Sequence, residues 1–460
     1  MSKSNKDLTH GNPLKLLTAF YLPMLIGNIV QQFYSMADSI IIGQFVGQGP
    51  FAAIGATMPV LNIMIVVIIG FTMGISICTA RYVGAKDTEK VRDIVGTTFL
   101  IASVLASALM VLGILFAKPV LQLIHTPEDI LEDARIYLVF NFATCIGPIA
   151  YNMFSNILRS TGDSRNPLAA LIISSVLNIL LDLLFVIVFH WGVAGVAIAT
   201  GISQIISAIY CIWVLCYKSN EYWCRRKNLG FHKDIVRDIL KFGMPVAASR
   251  LFTSLGAVYI QSLINSFGST VVAGYTAASK LDQLGLYSLI SIGSAISTYS
   301  GQNIGARRPD RVKQGIRASW ILCIAASAVF GGLLFFGGGY LVRLFIAGDQ
   351  TETISIAVSF LRVVAPFYLI GGGMYIYMEA MRGLGEVVIP LAGSFTELIA
   401  KVAAAFVLSR QLSYQKLWFA WPIGWILSFV LLAVYYYFFL WKKPRLQSVS
   451  LPEQTPSPRE

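Results

Sequence analysis

Twelve long apolar runs constrain this chain more than any other feature. They lie at roughly 14–44, 52–80, 92–117, 134–158, 168–190, 193–217, 240–266, 270–300, 314–338, 354–380, 388–409 and 415–441. A helix needs about 20 apolar residues to cross the hydrocarbon of a bilayer, and each run supplies them. Several exceed about 25 residues, which predicts tilted or bent helices. None shows the alternation of an outer-membrane barrel strand. Of the 460 residues, 56% are hydrophobic and 13% charged. No soluble core could bury that apolar surface, and a disordered chain would not carry it. An all-α membrane protein with twelve transmembrane helices is expected.

The loops then orient the spans. The net charge is +12, from 35 Lys and Arg against 23 Asp and Glu. With both termini inside, 26 of the basic residues fall in cytoplasmic segments and 5 in external ones. Such a bias sets direction in multi-pass proteins of the plasma membrane. It also explains the positive charge without nucleic acid, since the basic residues occupy short loops rather than one contiguous patch. The six cysteines form no CxxC pair and the four histidines no ligand motif such as HExxH. The first run holds Asn28, Gln31 and Gln32 at its centre. It is too long and too polar for a cleaved signal segment and is expected to remain as a span.

The chain repeats itself. RYVGAKDTEKVR, Arg81 to Arg92, follows the second run, and QNIGARRPDRVK, Gln302 to Lys313, follows the eighth. LRSTGDSRNPLA follows the fourth and MRGLGEVVIPLA the tenth, pairing Arg159 with Arg382, Gly162 with Gly385 and Pro167 with Pro390. Pro23 pairs with Pro245. Each half holds an even number of spans, so the halves share one orientation, as in many secondary transporters. The expected layout is a cytoplasmic segment 1–13, an N-terminal lobe 14–217, a cytoplasmic linker 218–239, a C-terminal lobe 240–441 and a disordered cytoplasmic tail 442–460. A short amphipathic helix is predicted near HKDIVRDILK in the linker.

Ionisable residues inside spans are functional candidates because hydrocarbon penalises them. Asp182 lies well inside SSVLNILLDLLFVIVF, with Asn178 four residues earlier on the same face. Asp38 lies deep in the first span, after Gln31 and Tyr34, and Thr200 in the sixth. Two carboxyls, an amide and a hydroxyl make an oxygen-rich set that suits a proton relay or, as metal ligands, a hard cation such as Na⁺. In the second half the candidates are Lys280 and Asp282, which do not share a helical face, and Glu397 and Lys401, an i,i+4 pair in the favourable order. These four read either as internal ion pairing or as a charge-balanced cavity wall. Glu379, Arg250 and Arg362 lie near span ends, where snorkelling competes with function. Pro23 removes a helical hydrogen bond and predicts a kink. Tyr34, Met58, Met64, Tyr259 and Tyr275 are candidates for an adaptable lining. No Walker A, GxSxG or HExxH motif occurs, so neither an ATP-driven pump nor an enzyme is indicated. No cofactor is expected beyond H⁺ or Na⁺ as coupling ion.

Together these residues resemble the multidrug and toxic compound extrusion family, in its DNA-damage-inducible-F-like prokaryotic branch. The resemblance rests on FYLPMLIGNIVQQFYSMADSIIIG, RYVGAKD, LRSTGD and LNILLD, and covers Leu14 to Trp441. It implies a V of two six-helix lobes and alternating-access antiport of amphipathic, often cationic drugs or toxins against H⁺ or Na⁺. It also implies a cation site of Asp38, Asp182, Asn178 and Thr200, with Asn156 as a further polar neighbour and bending at Pro23 tied to coupling. The partners implied are the bilayer and a small organic substrate, with the chain acting as a monomer. The alternative is a flippase for a lipid-linked precursor, or an exporter of another metabolite, in the same superfamily.

Overall fold

The computed structural model describes residues 7–46, 48–217, 220–343, 350–410 and 414–442. Residues 1–6 and the predicted tail beyond 442 lie outside them. No strand occurs among the described residues. The helices are α1 (Pro13–Ile41), α2 (Gln48–Gly84), α3 (Thr88–Leu123), α4 (Glu128–Ala143), α5 (Ile146–Ser160), α6 (Arg165–Leu183), α7 (Gly192–Tyr217) and α8 (Lys233–Asn265). They continue as α9 (Ser269–Gly305), α10 (Pro309–Ala326), α11 (Gly332–Val342), α12 (Thr351–Val364), α13 (Tyr368–Gly383), α14 (Val388–Ser409), α15 (Tyr414–Leu417) and α16 (Ala420–Phe438).

Every predicted run falls on helix. Among the described residues nine helical stretches are long and apolar enough to cross a membrane, and α4 with α5, bent by 45° at their break, makes a tenth. The two remaining runs fall on α8 and α9, which are long enough at 33 and 37 residues. Arg250, Lys280, Asp282 and many hydroxyls make them more polar than the other spans. α1 continues through Pro23 as one helical element. The amphipathic stretch predicted near HKDIVRDILK is not a separate helix. It forms the opening turns of α8, which runs on through Pro245 to Asn265 as one helix.

The internal repeat is visible in the backbone. Lys86 and Arg307 both take left-handed φ angles, 57° and 56°, at matching turns, and Gly162 and Gly385 do so at 89° and 77°. A left-handed residue ends a helix cleanly, and glycine does so without a Cβ penalty. The turns at the two glycines also bond alike: Gly162 N–H donates to Arg159 O and Gly385 N–H to Arg382 O, both at 2.8 Å.

The chain forms two compact units. The first contains Phe20–Val83 and Asp87–Leu251; the second contains Asp7–Ala19, Gly84–Lys86 and the chain from Phe252 onward. In the first unit the described part of the predicted linker packs on the start of α3. Asn228 Nδ2 donates to Asp93 Oδ1 at 2.7 Å, and Gly96 lies so close to Asn228 O that a Cβ would sit 2.1 Å from it. In the second unit the stretch before α1 is held on α9 and α10. Leu8 N–H donates to Gln302 Oε1 at 3.0 Å, and the Arg308 guanidinium donates to Thr9 O at 2.7 Å.

Candidate cation site

The first unit gathers the predicted carboxyls. Asn178 and Asp182 occupy one face of α6, Asp38 comes from α1 and Thr200 from α7. Asn178 and Asp182 are fully buried, and Tyr34 is nearly so. The Asn178 amide lies between the two acids. Oriented to meet its acceptors, its nitrogen donates to Asp38 Oδ1 at 2.9 Å and to Asp182 Oδ2 at 3.0 Å, while its oxygen accepts from Thr200 N–H at 3.2 Å. The amide also stands 3.3 Å from Thr200 Oγ1, which accepts from the Tyr34 hydroxyl at 3.4 Å. The two carboxyls thus meet at one amide nitrogen. Asp182 Oδ1 is buried and has no hydrogen-bond partner among the described residues.

Local structure supports this placement. A π-helical turn follows each acid-bearing segment: Ile42–Val46 after Asp38 and Leu184–Val188 after Asp182. Such turns shift the helical register and recur at functional sites. Here they belong to an apolar cluster of Ile41, Ile42, Ile54, Val186, Val193 and Val196, with Tyr137 packed against it. The cluster keeps that side of the site poor in polar groups, which strengthens every electrostatic interaction within it. Tyr137, on α4, interacts electrostatically with both acids. Sequence reasoning missed it, since no motif marks Tyr137 itself and only packing brings it close.

The remaining candidates distribute differently. Gln31 is exposed. Pro23 lies inside α1, in its first half. Asn156 donates to Asn152 O on its own helix at 2.9 Å, and no hydrogen bond of its own reaches the acid pair. In the second unit Asp282 is buried and accepts from the Tyr368 hydroxyl at 2.6 Å. Lys280, two residues away, is exposed. Glu397 and Lys401 form the i,i+4 ion pair at 2.8 Å, and Lys401 also acts electrostatically on Asp282. Glu379 pairs with Arg382, both buried on α13. No cluster of three or more His, Cys, Asp or Glu side chains able to hold a metal occurs among the described residues. Among the described residues the donor set is two carboxyls and neutral oxygens.

An all-helical, many-span chain with a buried acid pair and an internal repeat has the organisation of a secondary transporter. The MatE family model matches it twice, over residues 23–184 and 245–407, one match in each half of the repeat. The chain belongs to that family, the multidrug and toxic compound extrusion family, whose members are transporters and not enzymes. It is 29% identical over 442 residues to the probable multidrug resistance protein YoeA of Bacillus subtilis, covering 94% of each chain. It is 26% identical over 331 residues to a FAD transporter of Shewanella oneidensis, covering 70% of this chain and 71% of that one. A solved structure described as the outward-facing conformation of a multidrug resistance MATE family transporter shares the fold. Its TM-score is 0.89 at 22% identity, over 98% of this chain and 99% of that one.

Proposed function

We propose that the chain is a cation-coupled antiporter that exports amphipathic organic compounds, often cationic ones, and that Asp38 and Asp182 carry the coupling ion. The carrying observation is the acid pair itself: two carboxyls joined by one amide, with Asp182 buried and its Oδ1 without a hydrogen-bond partner among the described residues. Two bare carboxylates that close in apolar surroundings repel each other and lose hydration. A proton, a metal cation or a cationic substrate relieves the repulsion. Occupancy by one removes the drive for another, which is the requirement of exchange. Asn178 and Thr200 hold the acids at fixed separation, and Tyr34 braces Thr200.

The geometry supports a proton more than Na⁺. The bridging position between the carboxyls is taken by the Asn178 N–H donors. An Na⁺ ion needs oxygen ligands there, so the amide would have to turn. The name of the relative YoeA supports drugs as substrates. The FAD transporter among the relatives favours the second reading, an exporter of an anionic metabolite. A flippase for lipid-linked precursors fits less well. A strongly cationic cavity suits it, whereas here Arg382 and Lys401 are each paired with a glutamate.

The test is transport in proteoliposomes, with a pH gradient or an Na⁺ gradient imposed separately. A fluorescent organic cation and FAD are compared as cargo. Movement of the dye driven by the pH gradient alone is expected. Movement only under the Na⁺ gradient would reassign the ion, and transport of FAD but not dye would replace the drug reading by the metabolite one.

A further inference from the structure

The second unit carries a groove that the transport site does not use. It is a cavity of about 590 Å³ lined from α12 by Ser355, Ser359 and Arg362 and from the α15–α16 segment by Gln415, Trp418 and Phe419. Arg362 is exposed and makes no hydrogen bond or ion pair among the described residues. Among the described residues no acidic side chain lines the groove. An uncompensated guanidinium on a membrane helix is costly unless it reaches a headgroup or finds an anion.

The depth of the groove can be read from its neighbours. The continuous stretch Thr351–Gly383 has 33 residues, about 50 Å of helix, against a hydrocarbon thickness of about 30 Å. Its ends therefore stand among headgroups. The Trp418 indole N–H donates to Ser359 Oγ at 3.0 Å, and Trp418 packs with Tyr275, Phe360 and Trp421 at ring separations of 5.3–6.4 Å. Such aromatic groups mark the interface between headgroups and acyl chains. Arg362 lies one turn deeper than Ser359, so its guanidinium can reach back to phosphate level, and the exposed Phe419 with Val358 and Val363 offers apolar surface beside it.

We propose that this groove binds an anionic phospholipid, with the phosphate on Arg362, the headgroup hydroxyls on Ser355 and Gln415, and the acyl chains along the apolar flank. Arginine meets a phosphate oxygen pair with two parallel N–H donors, which lysine cannot copy. A free phosphate would satisfy the charge but not the apolar flank.

The test uses the full chain purified in detergent with equimolar dioleoyl phosphatidylglycerol and dioleoyl phosphatidylcholine, and native mass spectrometry of the retained lipid. The wild type is expected to retain phosphatidylglycerol about five-fold over phosphatidylcholine. Arg362→Gln is expected to abolish that preference, and Arg362→Lys to keep part of it. Should Arg362→Gln fail to purify, Ser355→Leu fills the exposed side of the groove and must lower retention in its place. Equal preference in the wild type and the variant overturns the proposal. So does release of the lipid by millimolar inorganic phosphate, which would mark a simple anion site.

Discussion

The two halves place opposite solutions at matching positions. In the register of Pro167 and Pro390, Asn178 corresponds to Lys401 and Asp182 to Ala405. In the register of Pro23 and Pro245, Asp38 corresponds to Ile260. The first unit thus holds two carboxyls bridged by a neutral amide. The second has no acid at either position and carries its own ammonium, paired with Glu397. A lysine that is covalently present cannot be exchanged; a proton can. The same contrast recurs near the other ends of the helices. Asn156 beside Arg159 is neutral, whereas Glu379 beside Arg382 makes a buried ion pair. At these matched positions the first unit leaves its charge to be completed by a visitor, and the second completes it internally.

The contrast is broken most severely by removing an acid from the first unit. Asp182→Asn should abolish cation-driven efflux, more than about 100-fold by initial rate, while expression and thermal stability stay at wild-type level. A coupling residue is lost without leaving a buried charge unpaired. The opposite pattern is expected in the second unit. Lys401→Met leaves Glu397 as an uncompensated charge and should destabilise the fold by about 3–5 kcal/mol, read as a lower midpoint in thermal unfolding. Adding Glu397→Gln should restore most of that midpoint. If the single variant unfolded at the wild-type temperature, the internal ion pair would not be structural.

A smaller effect is expected at the bridge. Asn178→Ala removes donors to both acids and should weaken coupling by about 1–2.5 kcal/mol, seen as a roughly five- to seventy-fold weaker response to the driving gradient. Thr200→Val is the mildest change. It removes one acceptor for Tyr34 and a hydroxyl beside Asn178, and should lower efflux two- to five-fold. A Thr200→Val effect as large as that of Asp182→Asn would move the ion site toward α7.

The extent of the fold was legible because apolar length and basic loops are both imposed by the bilayer. The repeat was legible because turns demand particular residues, as the shared left-handed positions at Lys86 and Arg307 show. Asp182 and Asn178 were legible as a pair because helical spacing fixes their common face. What the sequence could not carry is proximity between helices. Asn156 resembles a site residue by motif, yet its amide bonds its own helix. Tyr137 carries no motif, yet packing places it against the apolar cluster that follows both acids in the chain. The start of α8 was also hidden, since an amphipathic opening and an apolar continuation read as two elements until one ladder joins them.

The most direct measurement follows protons when cargo binds. Purified protein in weakly buffered detergent solution, monitored with a pH-sensitive dye, is mixed with a lipophilic organic cation. Wild-type protein should release protons on binding, and the Asp38→Asn, Asp182→Asn double variant should release none while still folding. Equal proton release from both proteins would contradict the assignment of exchange to this acid pair.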